Sequence, residues 1–129
     1  MKRASRLALA LLPFLATGSA YAVTEQNFNV ENTADLVALC AADAKEPMGT
    51  AALNFCHGFV VGASRVMQIS SEASRQAKLF CLPQPTPTRE QAIAEYVKWA
   101  QADQARMTVR PYDSLSAFLG ERFPCRPKK

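Results

Sequence analysis

Thr50-Ala-Ala-Leu-Asn-Phe-Cys-His-Gly-Phe-Val-Val-Gly-Ala-Ser-Arg-Val-Met-Gln-Ile69 is the stretch that decides the fold. Leu53, Cys56, Val60, Ala63 and Met67 recur at helical spacing and make one apolar stripe. Phe55, Phe59, Gly62, Val66 and Ile69 make a second stripe beside it. Neither alternates with period two, so the segment reads as a helix rather than a strand. Thr50 is its expected cap, and the serines at 70, 71 and 74 are its expected fraying end. Two adjacent stripes imply packing on more than one side, which predicts the central helix of the domain.

Upstream, Asn32 and Thr33 are good N-caps and Asp35 places negative charge in a first turn. Leu36, Leu39 and Cys40 then predict a short helix running to about Ala42, broken by the DAKEPMG segment with Pro47 and Gly49. Downstream, Cys81-Leu82-Pro83, Pro85 and Pro87 force an extended connector. Thr88 and Gln91 form a capping box that opens a third helix, with Ile93, Tyr96, Val97 and Ala100 as its buried face. Gln101 to Arg110 reads as a loop or frayed extension, and Pro111 as the first position of a short fourth helix carrying Leu115, Phe118 and Leu119. The expected fold is all-α: a small bundle of about four helices in an up-down arrangement, with residues 23–31 as a loosely held arm.

The N-terminus bears on the compartment. Lys2, Arg3 and Arg6 precede an apolar run from Leu7 to Ala16, and Ala20-Tyr21-Ala22 offers a small-x-small cleavage pattern. That layout predicts a signal peptide over residues 1–22; the run is shorter than the roughly 20 apolar residues of a spanning anchor. Of the 15 basic residues three lie in that segment and all 11 acidic ones lie beyond it, so residues 23–129 carry a net charge near +1. A nearly neutral surface gives no electrostatic reason to expect nucleic acid. Only the tail 126–129, Arg-Pro-Lys-Lys, is locally basic. One domain over residues 32–125 is expected, too small to be very stable on its core alone. Cys40, Cys56, Cys81 and Cys125 therefore read as a disulfide framework in an oxidising compartment. Four cysteines allow three connectivities; antiparallel neighbouring helices favour Cys40–Cys56 and Cys81–Cys125.

Catalytic chemistry is poorly supplied. His57 is the one histidine, and it follows Cys56 directly, so the two side chains diverge by about 100° on a helix. A Cys–His nucleophile must converge in space and needs a free thiolate. A zinc site needs three or four converging ligands. No catalytic residue, metal or cofactor is expected. Gly58 and Gly62, one turn apart, point to helix packing: close contact inside the monomer is the first reading and a dimer seam the second. Trp99 is expected at the edge of the core.

The motif set resembles a known family. Phe55-Cys56-His57-Gly58-Phe59-Val60-Val61-Gly62 looks like an aromatic-Cys-x-Gly-aromatic-x-x-Gly signature, accompanied by Cys40, Cys81-Leu82-Pro83, Ala94-Glu95-Tyr96-Val97 and Phe123-Pro124-Cys125. This is similar to the Rap/Tai immunity proteins of type VI secretion amidase effectors. The resemblance implies a disulfide-bonded helical periplasmic protein, often a homodimer, that blocks a peptidoglycan amidase with a surface element. Gln101, Asp103, Gln104, Arg106 and Arg110 are the candidate effector contacts. A different class, a periplasmic stress protein or acid-activated helical chaperone, is the alternative expectation.

Overall fold

A computed structural model describes residues 22–125. Most of the expected signal segment and the basic tail lie outside the described residues. Five α-helices, and no strand among the described residues, follow a short 3-10 turn at Glu25–Asn29. They are α1 (Thr33–Cys40), α2 (Gly49–Ala73), α3 (Arg89–Gln101), α4 (Gln104–Met107) and α5 (Pro111–Arg122). The all-α class is as expected, with one helix more than anticipated.

The central element is α1, not α2. Asn32 caps α1 by accepting from the Asp35 N–H, and Asp35 returns the bond to the Asn32 N–H. Of the eight residues in α1, Thr33, Leu36, Val37, Leu39 and Cys40 are buried, and the helix touches all four others. So short a helix is marginal alone and persists because it is surrounded. In the expected arm, the structure places Val23 in the core and packs Phe28 and Val30 against it, while Asn27 donates to Asp35 at 3.0 Å. The arm is therefore part of the fold, a difference from the expectation that arises because its polar residues bond locally.

Helix α2 turns mainly its first stripe to the core: Cys56 and Met67 are buried, with Val60 and Ala63 packed against the core. Of the second stripe, Phe59 packs on the core, while Phe55, Val66 and Ile69 are 38%, 53% and 62% exposed. The helix begins at Gly49, one residue before the expected cap, with Met48 in the left-handed region at φ 64°. A methyl group on Gly49 would lie 1.8 Å from the Asp43 carbonyl oxygen, so only glycine fits this close approach.

Tyr96 and Phe118 meet edge-on at 5.5 Å at the α3–α5 junction, with Trp99 and Phe123 on either side. The cysteines pair as Cys40–Cys56, joining α1 to α2, and Cys81–Cys125, fastening the proline connector to the chain after α5. The Cys81 N–H also donates to the Phe123 carbonyl at 2.8 Å. No helix among the described residues is long and apolar enough to cross a membrane.

Candidate binding elbow at the α3–α5 turn

The segment from Gln101 to Arg110 is built, not loose. Gln101 is the last residue of α3, and Asp103 caps the single turn of α4 by accepting from the Ala105 N–H at 2.9 Å. Arg106 then folds back: its guanidinium carbon sits 4.0 Å from the centre of the Trp99 ring, and one N–H donates to the Trp99 carbonyl at 2.7 Å. Trp99 in turn donates its indole N–H to Glu121 at 2.8 Å, which ties the elbow to α5. Two of the five candidate contacts, Asp103 and Arg106, are thus engaged within the fold. Their polar groups shape the elbow, and the Asp103 carboxylate still meets solvent.

A buried hydroxyl network holds the far end. The Thr33 N–H donates to the Val109 carbonyl at 2.9 Å, and the Thr33 hydroxyl lies 2.8 Å from Ser114 Oγ. Tyr96 Oη is 2.7 Å from the same oxygen, and Ser114 Oγ is 3.1 Å from the Pro111 carbonyl. The Thr33 hydroxyl also lies 2.9 Å from the Val109 carbonyl, so its single proton serves either Val109 or Ser114, and Ser114 in turn can donate to the Pro111 carbonyl. Burial pushes the Tyr96 phenol up, partly opposed by its bonds to Ser114 and Thr33. The network joins α1, α3 and α5 beneath Val109. Arg110 then stands at the N-cap of α5 with no side-chain bond to the backbone N–H groups of the first turn, and its guanidinium donates at 2.7 Å to Asp113 of that helix on the surface.

What the elbow offers to solvent is a short apolar and polar ridge. Val109 and Tyr112 are 41% and 40% exposed, and Gln101, Gln104, Thr108 and Arg110 are exposed beside them. Gln101, Gln104 and Arg110 of this ridge are among the candidates that the sequence offers, whereas Thr108, Val109 and Tyr112 are not. An isolated valine in a polar run looks like a filler, and only the fold shows it at the tip. Beside the ridge lies an open groove of about 440 Å³ lined by Lys98, Trp99, Ala102, Arg106 and Glu121 among others.

The remaining candidates lie elsewhere. His57 is half-buried on α2 next to Cys56, whose sulfur is bonded to Cys40. No group of three or more histidine, cysteine, aspartate or glutamate residues that could hold a metal occurs among the described residues. Gly58 and Gly62 are exposed, and a methyl group on either would meet nothing within 4 Å. That corrects the expectation of close helix contact inside the monomer: these glycines face away from α1, α3 and α5. The elbow thus combines side chains bonded within the fold, Asp103 and Arg106, with exposed polar and apolar surface from Gln104, Val109 and Tyr112.

A family model for Rap1a immunity proteins matches residues 32–125. No curated protein and no solved structure matches the chain.

Proposed function

The chain belongs to the Rap1a immunity protein family, and we propose from that membership that it protects its cell by binding a peptidoglycan amidase delivered by type VI secretion. The match covers the whole helical domain, and it is the observation that carries the reading. The paired cysteines support an oxidising compartment, and the periplasm is where a cell-wall amidase acts. In this reading the protein is an inhibitor rather than an enzyme, and the inhibition is steric.

The elbow is the element proposed to enter the effector. Val109 and Tyr112 supply exposed apolar anchors, with Gln104 and Arg110 beside them for polar contacts. A rigid element loses little conformational freedom on binding, which favours affinity. The links of Arg106 to Trp99 and of Thr33 to Val109 support that role. Self-association belongs to the same reading, since α2 leaves Phe55, Val66 and Ile69 exposed.

The test is a titration of the oxidised protein against each amidase-type effector encoded by its own genome. Heat of binding and peptidoglycan hydrolysis are followed together. Tight binding with loss of hydrolysis supports the reading; binding to none of them overturns the amidase assignment.

A further inference from the structure

We propose that Cys81–Cys125 is a thiol-exchange site of the folded protein, opened by attack of a thiolate on Cys81, while Cys40–Cys56 stays closed. The inference rests on the two disulfides and their surroundings and not on any effector.

The two bonds differ in burial. Cys40 and Cys56 are 8% and 0% exposed, shut between α1 and α2. Cys81 is exposed and Cys125 half-buried, and their bond ties a connector to a chain end rather than helix to helix. Exchange requires a thiolate to reach a sulfur in line with the bond that breaks, so access governs the rate. A thiolate reaches Cys56 only after α1 parts from α2, and α1 touches all four other helices. At Cys81 no helix has to move.

The surroundings admit a reagent. A cleft of about 580 Å³ opens beside the bond, lined by Cys81, Leu82, Pro83, Arg122 and Phe123 among others. Its described lining residues include Arg122 and no carboxylate, so an anionic thiolate is not repelled. Glu95 engages Arg122, which keeps the attraction modest. Leu79 and Leu82, 49% and 41% exposed, flank the cysteine and offer apolar contact to a larger reagent.

The step balances in two stages. The thiolate bonds to Cys81 Sγ, the Sγ–Sγ bond breaks, and its electron pair leaves on Cys125 Sγ, which takes a proton from water. A monothiol stops there, with a mixed disulfide at Cys81 and a free thiol at Cys125. In a dithiol the second thiolate attacks the mixed disulfide, closes the reagent's own disulfide and releases Cys81 as a thiol. Two electrons then pass from reagent to protein.

Opening the bond frees a strap rather than the fold. Residues 78–82 are still held by the Cys81 N–H bond to the Phe123 carbonyl and by the buried Phe80. Met67 and Ser71 of α2 face this strap across a groove of about 420 Å³, so loosening it uncovers them. The elbow is untouched, since the Arg106–Trp99 contact and the Thr33–Val109 bond use no residue of the connector.

The experiment incubates the oxidised protein, expressed from its full reading frame, with reduced glutathione or with reduced thioredoxin under native conditions. Free thiols are alkylated at intervals and mapped by mass spectrometry. Circular dichroism and the emission of Trp99, the one tryptophan, are followed in parallel. Cys125 should become alkylated roughly tenfold or more faster than Cys40 or Cys56, with helicity and emission unchanged. In the glutathione arm the adduct should map to Cys81. Reaction in either arm supports the site, and the faster arm tells a small thiol from a protein dithiol as its reagent. The Cys81→Ser, Cys125→Ser double variant should lose the reaction and keep Cys40–Cys56 oxidised. Equal rates for the two bonds, thiols that appear only as helicity is lost, or glutathione on Cys125 in place of Cys81 would overturn the proposal. So would an adduct that persists in the double variant.

Discussion

Arg106 lies over the Trp99 ring at 4.0 Å and donates to the Trp99 carbonyl at 2.7 Å, so one side chain locks the start of α4 onto the end of α3. The stacked guanidinium also approaches Glu121 at 4.0 Å, which holds the indole N–H. Ring, cation and carboxylate make a closed set at the one place where the chain must reverse between α3 and α5. The elbow owes its shape to this set on one side and to the Thr33–Val109 bond on the other.

Arg106→Ala should therefore destabilise the fold by about 1–2 kcal/mol, combining a partly exposed cation–π contact with a charge-assisted hydrogen bond. Urea unfolding should show a lower midpoint with the slope unchanged. Arg106→Lys keeps the charge but not the planar fork, and should recover less than half of the loss. An alanine variant as stable as wild type would mean that the elbow is held by the hydroxyl network alone.

Tyr96→Phe removes one hydrogen-bond partner of the Ser114 hydroxyl and should cost about 1 kcal/mol near neutrality. The pH dependence gives the clearer signature. Burial raises the Tyr96 phenol above its ordinary value in the folded state. Its contribution is thus fully present below about pH 10, the value of an unfolded tyrosine, and is lost as pH rises through the folded value. Wild type minus variant stability, measured by denaturant titration, should be flat below that point and fall above it. A flat difference throughout would show that the phenol titrates as it would in water.

Gly49→Ala places a methyl group 1.8 Å from the Asp43 carbonyl oxygen, a backbone atom that cannot turn aside. The turn before α2 must shift, and a loss of about 1–3 kcal/mol is expected by analogy with overpacked cores. Gly120→Ala is the internal comparison. Its new methyl would sit 3.5 Å from the Leu79 carbonyl oxygen, an ordinary contact, so the variant should gain up to about 1 kcal/mol of helix propensity. Thermal unfolding of the two side by side should separate them in opposite directions.

Four of the five helices, and the starts of α1, α3 and α5, were legible in the sequence because they depend on neighbours a few residues apart. Asn32, Thr88 and Pro111 mark the starts of α1, α3 and α5 through bonds or a fixed φ that need no tertiary partner. What could not be read was which surface each stripe meets. Phe55, Val66 and Ile69 have the same spacing whether another helix of this chain or another molecule covers them. The centrality of α1 was hidden for a related reason: eight residues carry little periodicity, and its burial is imposed by four neighbours. At the elbow, Arg106 reads as a free surface cation because nothing in the sequence links it to Trp99, seven residues earlier; only the turn between α3 and α4 brings the two together.

Val109 and Tyr112 separate binding from folding at the elbow. The fold uses the Val109 carbonyl, which accepts from Thr33, but leaves its side chain 41% exposed. Val109→Asp should therefore change the melting temperature little while placing a charge at the tip of the ridge. Buried aromatic anchors of an interface commonly lose more than 1 kcal/mol on truncation, and a tenfold change corresponds to about 1.4 kcal/mol. Val109→Asp and Tyr112→Ala should each weaken effector binding at least tenfold by calorimetry, with proportionate loss of inhibition. Gln104→Ala, a polar change on the same ridge, should cost less than either. If both apolar variants inhibit as well as wild type, the effector meets a different face of the protein, and the groove between Lys98, Trp99 and Glu121 becomes the next surface to probe.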